Sequence, residues 1–200
     1  MNFLAHSLFA QQDPQKIVGQ FCGDFIRGNN HTHLPAAVQD GIRLHRQVDS
    51  FTDRHPLNAT ARGLFEPPWR RFAGIFTDVV YDHYLVREWH SYSDMPIEDH
   101  VDMVHDALLS NYEILPLNLQ RFARHLVDRQ VLLSYRNFDA VEKALYRISG
   151  RSPRFFLLSE AGPVIERQSE ELNRLFKLFF PDLIEHMNQS ETHRQHRADL

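Results

Sequence analysis

Phe72-Ala-Gly-Ile-Phe-Thr-Asp-Val-Val-Tyr-Asp-His-Tyr-Leu-Val86 is apolar on nearly every side when it is placed on a helix at about 100° per residue. A helix that is apolar all round must be covered by protein on every face. The stretch therefore predicts a central, buried helix around which the other elements of the chain pack.

Helical spacing of apolar residues continues through the rest of the chain. It predicts helices near residues 3–11, 15–27, 36–54, 58–65, 69–90, 97–114, 117–128, 138–148 and 163–187, separated by glycine and proline breaks. No run alternates as a half-buried strand does, and no repeat or low-complexity linker begins a second domain. We predict an all-α fold, with a single-domain helical bundle over residues 1–187 and a polar, frayed tail over residues 188–200.

Composition narrows the class of protein. The 200 residues carry a formal charge of −4 and a single cysteine, Cys22, which cannot form a disulfide within the chain. No apolar run approaches the roughly 20 residues that span a bilayer. We therefore expect a cytoplasmic protein without a membrane or nucleic-acid partner, while its oligomeric state stays open. The nucleotide-binding glycine loops, the His-Glu-x-x-His pair and the Gly-x-Ser-x-Gly elbow are all absent from the sequence.

Two titratable residues interrupt the central helix. Asp82 and His83 flank the direction of Ile75 and Val79, so both are expected to point inward. Asp78 precedes Asp82 by four residues, and two carboxylates placed together in a core repel, raise one pKa or bind a cation. Taken alone, the pair is also compatible with a buried histidine that is hydrogen-bonded to an aspartate.

A second polar pair interrupts the stretch Gly41-Ile-Arg-Leu-His-Arg-Gln-Val-Asp-Ser-Phe-Thr-Asp53. His45 and Asp49 lie four residues apart within its apolar arc. A carboxylate on a core-facing surface costs several kcal/mol unless a cation or hydrogen-bond donors compensate it. An internal ion pair would satisfy this requirement, and so would a metal ion, because His at i and Asp at i+4 can reach one ion together.

Asp24 and His6 complete the candidate set. Asp24 lies at the border of an apolar arc formed by Ile17, Phe21 and Phe25, and it could be a metal ligand or an ordinary surface carboxylate. His6 could likewise be a ligand or a core or capping histidine. Histidines and carboxylates from several helices, without a cysteine ligand, suit Mn²⁺, Fe²⁺, Mg²⁺ or Zn²⁺ in a hydrolytic role. From the helical faces we predict a catalytic metal site made of Asp24, His45, Asp49, Asp82 and His83, with His6 as a further ligand.

Four motifs in these regions resemble the acyl carrier protein phosphodiesterase family. They are Asn2-Phe-Leu-Ala-His6, Gly23-Asp24-Phe25-x-Arg27-Gly28, Gly41-Ile-x-x-His45-Arg46-x-Val-Asp49-x-x-Thr52-Asp53 and Asp78-x-x-x-Asp82-His83. The resemblance implies hydrolysis of holo-acyl carrier protein to the apo-protein and 4′-phosphopantetheine, supported by Mn²⁺, with Mg²⁺ or Fe²⁺ as alternatives. It also implies a distant relation to the all-helical HD-domain phosphohydrolases, although this chain has Asp82-His83 in place of the His-Asp order that names them.

Acyl carrier proteins are small and strongly acidic, so the resemblance implies a basic docking rim. Arg27, Arg43 and Arg46 are near the predicted ligands in sequence and project toward solvent on the helical wheel, and we predict that they dock the carrier protein. Two alternatives stay open. One is an HD-type phosphohydrolase acting on a nucleotide or another small phosphate ester, and the other is a non-catalytic helical binding module.

Overall fold

The apolar stretch forms the centre of the protein, as predicted. In the computed structural model, which describes residues 2–198 and their side chains as far as residue 190, a 3₁₀ turn at Arg70–Phe72 leads into helix α5, Ala73–Arg87. Every residue of α5 from Val79 to Val86 is buried, including Asp82 and His83. The prediction that these two polar residues point inward is thereby confirmed.

Ten further α-helices lie within residues 2–198. They are α1 (Phe3–Leu8), α2 (Pro14–Cys22), α3 (Ala36–Arg54), α4 (Pro56–Gly63), α6 (Ile97–Ser110), α7 (Leu117–Asp128), α8 (Val131–Ser134), α9 (Asp139–Ser149), α10 (Gly162–Arg167) and α11 (Ser169–Ala198). Short 3₁₀ turns lie at Trp89–Ser91 and Tyr112–Ile114, and a longer 3₁₀ helix lies at Pro153–Glu160. No strand occurs between residues 2 and 198. The all-α, single-domain prediction is confirmed.

Several predicted helices differ from the observed ones at their ends; those predicted over 3–11 and 97–114 already end at Leu8 and Ser110. The helix predicted over 15–27 ends at Cys22, where the amides of Phe25 and Ile26 both bond to the Cys22 carbonyl and the chain tightens into turns. The region 163–187 is divided at Gln168, which separates α10 from α11. The 3₁₀ helix at Pro153–Glu160 was not predicted, since its apolar residues do not recur with the period of an α-helix.

Local capping explains where α2 begins. The Asp13 side chain accepts hydrogen bonds from the amides of Gln15 and Lys16, and Pro14 occupies the first turn, where its missing amide hydrogen costs nothing. The start of α2 is thus determined locally, and the helix runs from there along α3.

Helices α2 and α3 approach each other unusually closely, at two glycines. A Cβ atom on Gly19 would lie 2.2 Å from the Val38 carbonyl oxygen, and one on Gly41 would lie 2.2 Å from the Lys16 carbonyl oxygen. Contacts that short are not observed between real atoms, so the helices can pack backbone to backbone only because both positions are glycine. This contact brings the end of α2 beside the middle of α3.

The core is rich in aromatic side chains, and α11 supplies many of them. Leu172, Leu175, Phe176 and Phe179 are buried, and the Phe176 ring lies 5.2 Å from that of Tyr81 on α5, measured between ring centroids. None of the helices within residues 2–198 is both long enough and apolar enough to cross a membrane. The predicted frayed tail, 188–200, falls largely outside the residues whose side chains are described, and it stays a prediction.

Replacing Gly41 by Ala tests the close approach of α2 and α3. The new methyl group must push the two helices apart. We therefore expect the free energy of unfolding to fall by about 1–3 kcal/mol, the usual cost of overpacking. Gly74→Ala is the matched control, since a Cβ there meets nothing within 4 Å and alanine favours the helix. Urea unfolding of both variants measures the difference; equal stability of the two would contradict the close contact.

Candidate metal centre

Three side chains from two helices converge at the centre of the site. His6 on α1 and His45 and Asp49 on α3 each offer one ligand atom, and these atoms lie within 4.8 Å of one another. His6 Nε2 is 3.2 Å from Asp49 Oδ1, and His45 Nε2 is 3.1 Å from Asp49 Oδ2. Both histidines are buried, and the side chain of Asp49 is 39% exposed, so the cluster opens to solvent on the side of the carboxylate.

The hydrogen bonds of His6 leave one of its ring nitrogens without a partner. The Gln20 side-chain oxygen lies 3.2 Å from His6 Nδ1 and accepts a hydrogen bond from it in the tautomer that carries the proton on Nδ1. Burial, and then the nearby His45, lower the pKa of His6 to about 4, so the ring is neutral at neutral pH. His6 Nε2 is then a lone pair facing a carboxylate oxygen, buried and without an aligned hydrogen bond.

The position of His45 depends on its neighbours above and below the ring. It stacks on His6 with 4.0 Å between ring centroids and 19° between planes. A Cβ on Gly23 would lie 2.2 Å from His45 Cγ, so the ring occupies the space that a side chain at residue 23 would need. Gly23 therefore gives the His45 ring its room beside the end of α2.

The charge of Asp49 is stabilised by its two histidine neighbours. Burial alone would raise the pKa of Asp49, but the contacts with His45 and His6 outweigh it and hold the pKa well below its usual range. Asp49 is thus an ionised carboxylate at any pH at which the protein would act.

Asp24 lies at the exposed edge of the cluster. Its Oδ1 atom is 3.6 Å from His45 Nε2, and its side chain is 48% exposed. It is carried by the turn after α2 rather than by the predicted helix, and Arg46 donates a hydrogen bond to the Gly28 carbonyl at the far end of that turn. Partial burial raises the pKa of Asp24, which the neighbouring His45 opposes.

These residues fit a divalent metal ion. Two imidazole nitrogens with one or two carboxylate oxygens form a donor set that Mn²⁺, Fe²⁺ and Zn²⁺ accept. His6 Nε2 lies 3.2 Å from Asp49 Oδ1 without an aligned hydrogen bond, and a cation bound between them would satisfy both atoms. His6, His45 and Asp49 would hold the ion, with Asp24 beside it.

Asp82 lies apart from this cluster and binds the start of α1. Its Oδ2 accepts the Leu4 amide at 2.9 Å and its Oδ1 accepts the Ala5 amide at 3.2 Å. The side chain is fully buried, and burial raises its pKa to about 7 although the two amides oppose the shift. Asp82 thereby fixes the helix that carries His6.

His83 points away from Asp82 toward the other side of α5. Its Nδ1 donates to the Tyr135 carbonyl oxygen at 2.6 Å, and its ring meets the edge of Phe138 with 5.8 Å between centroids. Burial lowers the pKa of His83. The structure thus brings together four of the six predicted ligands, while Asp82 and His83 have protein partners in other places.

The three predicted docking arginines lie near the cluster in sequence but differ in their contacts. Arg27 is exposed in the turn after Asp24. Arg43 pairs with Asp40 on its own helix, and Arg46 binds the Gly28 carbonyl. Arg46 therefore also has a structural role in holding the turn that carries Asp24.

Two residues of the site were not singled out from the sequence. Gln20 is 1% exposed and orients His6; a glutamine among the apolar positions of α2 was the signal that could have identified it. Gly23 was quoted only as part of a motif, and its steric role depends on a ring that lies 22 positions further along the chain. No sequence spacing reveals that contact.

Comparison with known proteins identifies a single family. The family model described as acyl carrier protein phosphodiesterase matches residues 1–183. Proteins named acyl carrier protein phosphodiesterase from Pectobacterium atrosepticum, Salmonella agona and Escherichia coli are 32%, 34% and 33% identical to this chain, each over 92% of it and 96% of the relative. No solved structure matches the chain significantly.

The buried Asp82 carboxyl predicts a pH-dependent stability difference from Asp82→Asn. Its pKa rises from 3.8 to about 7 on folding, so the folded protein binds this proton more tightly than the unfolded chain does. The free energy of unfolding of the wild type, relative to the Asn variant, should therefore be highest below pH 4 and fall as the pH rises toward 7. Urea unfolding across this range, with chelator present, measures the difference; a constant difference would contradict it.

Proposed function

The chain belongs to the acyl carrier protein phosphodiesterase family, and from this premise we propose that it hydrolyses holo-acyl carrier protein to apo-protein and 4′-phosphopantetheine with a bound divalent ion. The observation that supports this most is the meeting of His6, His45 and Asp49, where a buried nitrogen of His6 lies beside the ionised Asp49 carboxylate without an aligned hydrogen bond. We infer the substrate from the names of the relatives, and we assign the reaction to the cluster of His6, His45 and Asp49.

Mn²⁺ is the ion we propose, with Mg²⁺ or Fe²⁺ as alternatives. Two imidazoles favour a transition metal over Mg²⁺, which prefers oxygen ligands and retains its waters. When bound, such an ion stabilises charge on phosphoryl oxygens and makes a nearby water more acidic. His6, kept neutral by burial, and His45 present nitrogen lone pairs to it, and Asp49 contributes negative charge.

The chain's own residues then position and protonate the substrate. Water attacks phosphorus, the bond to the carrier protein's serine oxygen breaks, and that oxygen needs a proton because an alkoxide is a poor leaving group. Asp24 is 48% exposed beside the cluster, and its raised pKa favours the protonated form that can donate. Asp24 passes a proton from its carboxyl group to the serine oxygen, and Asp49 stays ionised throughout.

The reaction is tested by following the mass of the carrier protein. Purified enzyme is incubated with holo-acyl carrier protein and Mn²⁺, with and without chelator. We expect metal-dependent loss of the phosphopantetheine mass, and a rate lower by about 10²–10⁴-fold in Asp24→Ala, as for loss of a general acid.

Asp40→Asn is the control for the Asp24 variant. Asp40 pairs with Arg43 on the same helix as His45 and lies outside the cluster, so its rate should match the wild type. An unchanged carrier mass with folded, metal-loaded enzyme would overturn the proposal and direct the search to nucleotides and other small phosphodiesters.

Metal binding has a test that does not depend on activity. Mn²⁺ should raise the melting temperature of the wild-type protein, because a ligand that binds only the folded state stabilises it. The increase should be absent in His45→Ala and retained in Asp40→Asn. Differential scanning calorimetry with a chelator control measures this, and an equal increase in both variants would place the ion elsewhere.

A further inference from the structure

Charge is distributed very unevenly along this chain. The segment 117–156 contains eight Lys and Arg and three Asp and Glu, a net charge of +5, whereas the whole chain carries −4. All other residues together therefore carry −9. This segment, which includes α7, α8, α9 and the start of the 3₁₀ helix, has a higher net positive charge than residues 1–71, which carry +2, whereas residues 72–116 carry −8.

The same segment exposes large apolar side chains. Leu117, Tyr146 and Phe156 are 71%, 70% and 63% exposed, more than any other large apolar side chain within the described residues. Arg147, Arg151 and Arg154 are exposed beside them in sequence. We call Tyr146, Arg147, Arg151, Arg154 and Phe156 the basic surface. Exposed tyrosine, phenylalanine and arginine side chains together are typical of protein interfaces.

Contacts join this surface to the candidate metal centre. Arg147 contacts His125 on α7, and Phe122 of that helix lies 4.6 Å from Phe3 and 6.3 Å from Phe25, between ring centroids. Phe25 directly follows Asp24. The basic surface is therefore linked through α7 to the turn that carries Asp24.

We propose that the basic surface docks an acidic partner protein and, on the basis of the proposed function, that this partner is the carrier protein. Positive charge would steer an acidic protein into place, and Tyr146 and Phe156 would supply the apolar contact. A nucleic acid fits less well, because the residues outside the segment 117–156 carry a net charge of −9, mostly in residues 72–116, which disfavours an extended polyanion. This surface acts in addition to Arg27, Arg43 and Arg46.

Steady-state kinetics of the charge-reversed variant Arg147→Glu/Arg151→Glu/Arg154→Glu test the proposal. We expect KM for holo-acyl carrier protein to rise by about tenfold or more and kcat to change much less, because docking is lost while the side chains that react are retained. Rising salt should raise the KM of the wild type more steeply than that of the variant.

The matched control is Arg54→Glu/Arg70→Glu, which reverses two exposed arginines outside the segment and should leave KM within about twofold. Calorimetric titration with apo-acyl carrier protein, which lacks the phosphodiester, should show weaker binding by the triple variant and by Tyr146→Ser/Phe156→Ser, each checked for folding by circular dichroism. If the triple variant does not fold, Arg151→Gln with the same titration replaces it.

Equal KM and equal affinity in wild type and variants would overturn the docking surface while leaving the hydrolase intact. Tighter binding of single-stranded DNA than of apo-acyl carrier protein, lost in the triple variant, would assign the surface to nucleic acid and overturn it as well. If the wild type does not hydrolyse holo-acyl carrier protein at all, the proposed function fails instead, and the titration with apo-protein still tests the docking surface.

Discussion

The backbone contact between α2 and α3 at Gly19 and Gly41 is the constraint on which the site depends. It is close enough that neither position tolerates a Cβ, so the end of α2 lies directly against α3. That proximity brings Gly23 onto the His45 ring and places Asp24 within 3.6 Å of His45 Nε2. If these helices lay further apart, Asp24 would lie in an ordinary surface turn.

A second constraint acts on α1, which is short and would be unstable alone. Asp82, from the central helix, accepts the first free amides of α1 and thereby satisfies groups that a helix start leaves unpaired. Gln20 then orients the ring of His6 from α2. The position of one candidate ligand thus depends on two buried polar residues from two other helices, neither of which joins the cluster.

Burial and charge determine the ionisation of the candidate metal site and the sign of the surface proposed for docking. Burial lowers the pKa of His6 and keeps its ring neutral, Asp49 is kept ionised by its histidine neighbours, and Asp24 lies half-exposed where substrate would arrive. Residues 117–156 carry a net charge of +5, whereas residues 72–116 carry −8. An acidic substrate protein would meet favourable charge at the first of these segments and repulsion at the second.

The sequence by itself determined the helical fold, the buried central helix and the association of His45 with Asp49, because these depend on spacing within one helix. It also assigned His6 and Asp24 to the same predicted site as His45, and the structure places both beside the His45 ring, but it included Asp82 and His83, which have other partners. Only the tertiary structure decided that Asp82 binds the start of α1, that His83 turns to Tyr135, and that Gly23 makes room for a ring on another helix. The physical reason is that helical periodicity reports which way a side chain faces, whereas its partner is set by how separate helices pack.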